Sequence, residues 1–262
     1  MVEVALGVQF EPLGGLGIPL MAQFWEQIRD RFPKWTQHPL IPAAMESFGS
    51  PMAVPLNVSF SLRNDPMIRS MFEDIAGNHL IQVQNDRFVH NWKKEQDQSL
   101  VYPRYPVVRK NFEAAFQHFA KFAGEHGLGE PVATLCEVAY VNHVPASKVW
   151  GRYGQLGEVL ASFSGHTTDG FLAEPEGVDL NLRYVIPDLD GRPVGRLHVA
   201  ARPVIRRVDG TPMFKLDLTA RTLVEDRGLT GALGALDKGH DFLVNAFRSI
   251  TTKKMHEVWG LE

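Results

Sequence analysis

A single cysteine, Cys136, in 262 residues rules out an intrachain disulfide framework and points to a reducing compartment. Cys136 falls inside an apolar strand pattern, so it reads as a small core residue rather than a nucleophile. No apolar run is long enough to cross a bilayer. The first residues carry Glu3 early and lack a basic stretch followed by an apolar one, so no secretory leader is expected. Cytoplasmic localisation is the resulting expectation. Neither sign of charge dominates: a net charge of -3 excludes a constitutively polycationic coat for nucleic acid and leaves a local basic patch open. Catalytic signatures are missing too. There is no Gly-x-Ser-x-Gly, no His-Glu-x-x-His and no Cys-x-x-Cys among these residues. Gly14-Gly15-Leu16-Gly17 lacks the following Gly-Lys-Ser/Thr of a phosphate loop and the glycine that would complete a dinucleotide fingerprint, so it reads as a turn. No metal, no cofactor and no catalytic residue are expected.

What the chain does carry is ordinary globular composition, 44% hydrophobic and 22% charged, with strong local patterning. Val2 to Phe10 reads as a strand. A first helix follows with Met21, Phe24, Trp25, Ile28 and Phe32 on one face, stopped by Pro33. Trp35 to Pro55 reads as irregular, Val54 to Leu62 as a strand, and Pro66 to Ile75 as a short helix. Ile81 and Val83, a turn at Asn85-Asp86, and Phe88, His90 and Trp92 make a hairpin. Val108, Phe112, Ala115, Phe119 and Phe122, widened by Phe116, stripe one long helix. Thr134 to Val144 is a strand with Cys136, Val138 and Tyr140 on one face. In the last third, turns at Asp190-Gly191 and Asp209-Gly210 separate three alternating runs, a meander with one dry and one wet face. A closing helix through Leu236, His240, Leu243, Phe247 and Ile250, ending in Met255, Val258 and Trp259, is expected to cover it. The fold class is therefore α+β, with antiparallel sheet wrapped on long amphipathic helices. The expected organisation is a sheet-and-helix half over 1–145, a connecting region over 146–170, and a meander plus helix over 171–262. The halves read as pseudo-similar and as one compact unit.

Candidate sites come in three groups. Strand alternation places Arg183, Arg196, His198, Arg202, Lys215 and Arg221 on the wet face of the meander, against Asp179 and Asp217. Such a face can bind an anion, a nucleic-acid backbone or an acidic partner; its bland reading is a solvated face with cross-strand ion pairs. No aromatic accompanies the charges, so the stacking platform of a single-strand binder is missing. The second group sits at strand ends: a pocket walled by Trp92, with Asn91, Arg104 and Asn142 as polar contacts. Its bland reading is backbone capping. The third is a hydrolase site around His166 and Asp169 in the Gly/Ser-rich connection, which has no second motif to support it.

Several of these residues fall in longer motifs: Gln9-Phe10-Glu11-Pro12-Leu13, Gln82-Val83-Gln84 with Asp86-Arg87-Phe88, Asn91-Trp92, Tyr102-Pro103-Arg104-Tyr105, Tyr140-Val141-Asn142-His143 and Leu236-Asp237-x-x-His240. Together these motifs resemble a sporadically distributed, uncharacterised bacterial family of similar length. That resemblance implies no catalytic or binding residues, and by its patchy distribution implies a subunit of a defence- or mobile-element-associated system. The functional expectation is a non-enzymatic binding protein that engages a protein partner or itself. The alternatives are an anion or nucleic-acid binder using the meander face, and the hydrolase.

Overall fold

The computed structural model describes residues 1–49, 68–94, 100–165 and 169–261. The strand expected over Val54 to Leu62 and the candidate His166 lie outside these residues. The chain enters as β1 (Glu3–Phe10), turns through α1 (Ile18–Ile28) and continues as β2 (Lys34–Pro39). A meander follows: β3 (Ile68–Glu73), β4 (His79–Gln84) and β5 (Arg87–Lys93). Helix α2 (Tyr105–Glu125) leads to β6 (Ala133–Pro145) and a short 3-10 helix (Tyr153–Glu158). A second meander, β7 (Leu180–Pro187), β8 (Pro193–Ile205) and β9 (Pro212–Leu223), precedes α3 (Leu229–Ile250) and α4 (Lys253–Trp259).

All nine strands join one antiparallel sheet in the order β2-β3-β4-β5-β1-β6-β9-β8-β7. The fold is α+β. Its order carries an internal symmetry: β1 pairs with β5 of the first meander, β6 pairs with β9 of the second, and β1 and β6 pair with each other. Each half is a strand, a connection, a three-stranded meander and a long helix. The sheet runs unbroken from one half into the other, and residues 146–161 cross over its inner face. There Trp150 packs 4.6 Å from Phe214, and Leu156, Val159 and Leu160 are buried.

The long helices α2 and α3 lie on the same side of the sheet, and their two interfaces differ. Phe112, Phe116, Phe119 and Phe122 of α2 meet Phe10, Phe24 and Phe88 with ring centroids 5.3–6.4 Å apart. Phe116 belongs to the centre of this stripe, while Ala115 is only half-buried. Helix α3 presents Ala232, Ala235, Leu236 and Gly239, and sits closer. A Cβ on Gly239 would stand 3.5 Å from Ala220 and from Val138. At that range the sheet reaches the helix backbone: Thr222 Oγ1 donates to Ala235 O at 2.8 Å.

Three expected elements are corrected. Residues 68–73 form strand β3, not a helix: Ser70 and Phe72 alternate with Arg69 and Met71, and both neighbouring strands are there to pair with it. A mixed stretch of only six residues fits either period, so tertiary pairing decided. Lys34–Pro39, expected to be irregular, pairs with β3 and turns Trp35 inward onto Phe72. The closing helix is two helices. Thr251 leaves helical backbone to bridge Leu160, and the Thr252 hydroxyl accepts from Met255 N to start α4.

Candidate functional site

Among the described residues no helix lies on the sheet's outer face. Residues 41–48 cross it instead, as an extended strap over β4, β5, β1, β9 and β8 in turn. Each contact has a sequence cause. Period-two alternation aims Gln84, Arg87, Gln9, Arg221, Arg196 and His198 outward, because their strand neighbours fill the core. The Gln84 amide accepts from Ile41 N at 3.1 Å and donates to Ile41 O at 2.9 Å. The Gln9 amide repeats this pairing three residues on, accepting from Ala44 N at 2.7 Å and donating to Ala44 O at 3.1 Å. Between them Arg87 donates to Pro42 O at 3.1 Å and to Gln9 Oε1 at 2.9 Å. A primary amide facing a peptide unit offers the same donor–acceptor pair as a neighbouring strand, so it recognises backbone without regard to side chain.

One side chain of the strap is recognised as well. The Glu46 carboxylate is 1% exposed and sits among Arg196, His198 and Arg221. His198 Nε2 donates to Oε1 at 2.7 Å. Arg196 Nε lies 3.0 Å from Oε2, a charge contact whose N–H is not aligned on the oxygen. Arg221 reaches Oε1 at 3.6 Å and donates to Glu137 at 2.8 Å. Arg196 also donates to Ser47 O at 2.6 Å and holds its guanidinium 5.1 Å over the Phe48 ring. Burial lowers the His198 pKa below the ordinary imidazole value, in opposition to the raising pull of Glu46. A neutral imidazole still donates its Nε2–H to the carboxylate.

The meander face expected to be wet is therefore covered at its centre. Arg196 is buried, and His198 and Arg221 are half-buried beneath the strap. Outside it, Arg183 and Arg202 are exposed, and Lys215 pairs with Asp217 at 3.1 Å. Alternation located the cations. It carried no information on Glu46, which lies 150 residues or more before Arg196 in a stretch without periodicity.

The expected Trp92 pocket does not assemble. Asn91 and Trp92 are neighbours on β5 and so face opposite sides of the sheet. Asn91 lies outside, donating to Glu3 at 2.6 Å and accepting from Gln82 at 2.8 Å. Trp92 lies inside, buried against Tyr102 at 5.4 Å. Asn142 is also inside, where it lines a cavity of about 280 Å³ with His143, Phe247 and Trp259. Arg104 precedes α2 with φ 73°, the one described non-glycine residue at positive φ. Asp169 accepts from Phe171 N in an exposed turn. Among the described residues no three His, Cys, Asp or Glu side chains are grouped to hold a metal ion, and no helix is long and apolar enough to cross a membrane.

A second polar cluster, on the inner side, gathers residues that sequence reasoning did not connect. Asp237 of α3 accepts the Tyr105 hydroxyl at 2.8 Å and the fork of Arg109 at 2.7 and 3.0 Å. Tyr105 stacks on His240 at 3.7 Å between centroids, and Tyr140 Oη is 2.7 Å from His240 Nδ1. Burial lowers the His240 pKa, which favours the neutral ring in this contact. Burial likewise raises both tyrosines well above the phenol range. Every group in this cluster answers another, which makes it a clamp between α2, α3 and β6. Helical spacing i, i+3 in Asp237-x-x-His240 and i, i+4 in Tyr105 and Arg109 was the available signal.

No protein-family model matches the chain, and no curated protein matches it.

Proposed function

We propose that this chain is a non-enzymatic interaction protein that uses the outer face of its sheet to engage an extended segment of a protein partner. One observation carries the reading: that face holds a peptide segment through two backbone-directed amide pairs and one buried carboxylate. Backbone pairing plus a single side-chain pocket is how extended peptides are generally recognised on sheets. The partner's chemistry follows from the exposed cations beside the strap, Arg183 and Arg202, which favour an acidic segment. A nucleic-acid reading is less well supported, because Glu137 and Asp217 of the sheet itself are interleaved with the cations and interrupt a continuous phosphate track.

The test is affinity capture of the tagged protein from its native host at low salt, beside an Arg183→Glu/Arg202→Glu variant of unchanged thermal stability. Loss of a stoichiometric protein from the variant eluate supports the reading. An identical eluate from both contradicts it, and nucleic acid in place of protein would replace it.

A further inference from the structure

We infer that the outer face is a peptide groove of defined register, closed in cis by residues 41–48, and that it takes in trans an extended acidic peptide of the same pattern. This rests on the interaction reading above and names its ligand. The pattern can be read position by position from the strap. The residue at the Gln84 amide, Ile41 here, needs both its N–H and its C=O. The next residue uses only its carbonyl, on Arg87, so proline is accepted there, as Pro42 is. Three residues after the first, at the Gln9 amide, both backbone groups are needed again, as at Ala44. Five residues after it comes the carboxylate, and seven after it an aromatic ring beneath the Arg196 guanidinium.

The inference draws on how the strap is held. Its apolar anchoring is limited to the half-buried Ile41 and Phe48: Met45 is exposed, and Ala43 and Ala44 are small. Its grip consists of hydrogen bonds and one charge cluster, which a second peptide reproduces bond for bond. A trans peptide has only to overcome the advantage of a tethered competitor, on the order of millimolar effective concentration. Weakening the tethered segment while leaving Gln9, Gln84, Arg196, His198 and Arg221 intact therefore opens the groove.

The experiment uses the whole chain carrying Ala44→Pro and Glu46→Ala, which removes one strap N–H and its carboxylate. The probe is a fluorescent synthetic peptide of residues 40–48, read by anisotropy at low and moderate salt, beside the same peptide with Glu46→Gln. The expected result is saturable binding to the variant, weaker by about tenfold or more for the Gln peptide, as the loss of one charge-assisted bond implies. The unmodified protein should bind the probe more weakly still. No saturable binding to the folded variant, or equal binding of the two peptides, would overturn the inference. So would a single-stranded oligonucleotide that displaces the peptide and binds more tightly than it does. If the double variant does not fold, Glu46→Gln alone decides on the same criteria. A native partner whose capture depends on Arg183 and Arg202, found alongside absent peptide binding, would sink this register and leave the interaction reading standing. Peptide binding alongside a partner indifferent to those arginines would do the reverse.

Discussion

The two faces of the sheet are covered by opposite kinds of chemistry. Inside, α2 and α3 lie over a continuous apolar core in which Phe88, Phe112 and Phe119 are fully buried. Outside, the extended strap of residues 41–48 is held by amides, arginines and one carboxylate. Apolar burial is non-directional and is lost only when water enters, which ties the inner cover to global unfolding. Polar contacts are directional and replaceable one for one by another donor or acceptor, so the outer cover is expected to open without the fold opening.

The largest effect that would sharpen this contrast belongs inside. Phe119→Ala removes a ring that touches Phe10, Phe24 and Phe88, and should lower unfolding free energy by about 3–5 kcal/mol in urea titration. A loss under 1 kcal/mol would mean that the inner face is not close-packed.

Acid should act on the inside as well. His90 is buried with Nδ1 unpartnered, and burial, then His79 and Arg31, lower its pKa from 6.5 to about 3. The unfolded chain takes up a proton below pH 6.5 that the native state refuses until about pH 3. The associated stability is complete above pH 6.5 and is lost as pH falls through that window, by roughly 2 kcal/mol at pH 5. His90→Leu should flatten this part of the stability–pH curve; an unchanged slope would place the acid sensitivity elsewhere.

Outside, the effects should be smaller. Glu46→Ala removes the charged side-chain anchor of the strap, and should cost about 1–2 kcal/mol, because water can reach Arg196 and Arg221 once the strap lifts. A loss of 4 kcal/mol or more would make the strap part of the cooperative core and break the contrast. Smallest of all is Arg202→Glu, an exposed change expected to stay within about 0.5 kcal/mol in stability while weakening partner capture.

Much of the fold was legible because period and punctuation agree. Asn85-Asp86 sits between two alternating runs, Asp190-Gly191 and Asp209-Gly210 space the second meander, and Val108, Phe112 and Phe119 repeat at helical intervals. The short strands β2 and β3 were not legible, since six residues such as Ile68–Glu73 satisfy either period until a neighbouring strand arbitrates. The break between α3 and α4 was hidden because Thr251 interrupts helix only through its bridge to Leu160. For the site, alternation gave the outward direction of Arg196, His198 and Arg221. It gave nothing of what covers them, because Glu46 stands in an aperiodic stretch held by distant side chains, Gln9, Gln84, Arg87 and Arg196 among them. Adjacent residues were also joined too readily: Asn91 and Trp92 are neighbours in sequence and lie on opposite sides of a sheet.

Site-resolved amide hydrogen exchange on the unmodified protein tests the contrast most directly. The amides of Ile41 and Ala44 are hydrogen-bonded to side chains across the outer face, and those of α2 lie above the core. If the outer cover is exchangeable, Ile41 and Ala44 should open by a local route several kcal/mol below global unfolding, with α2 protected to the global limit and Glu46→Gln speeding only the strap. If Ile41 and Ala44 exchange only together with α2, the strap is as permanent as the helices, and the outer face is not a site that opens.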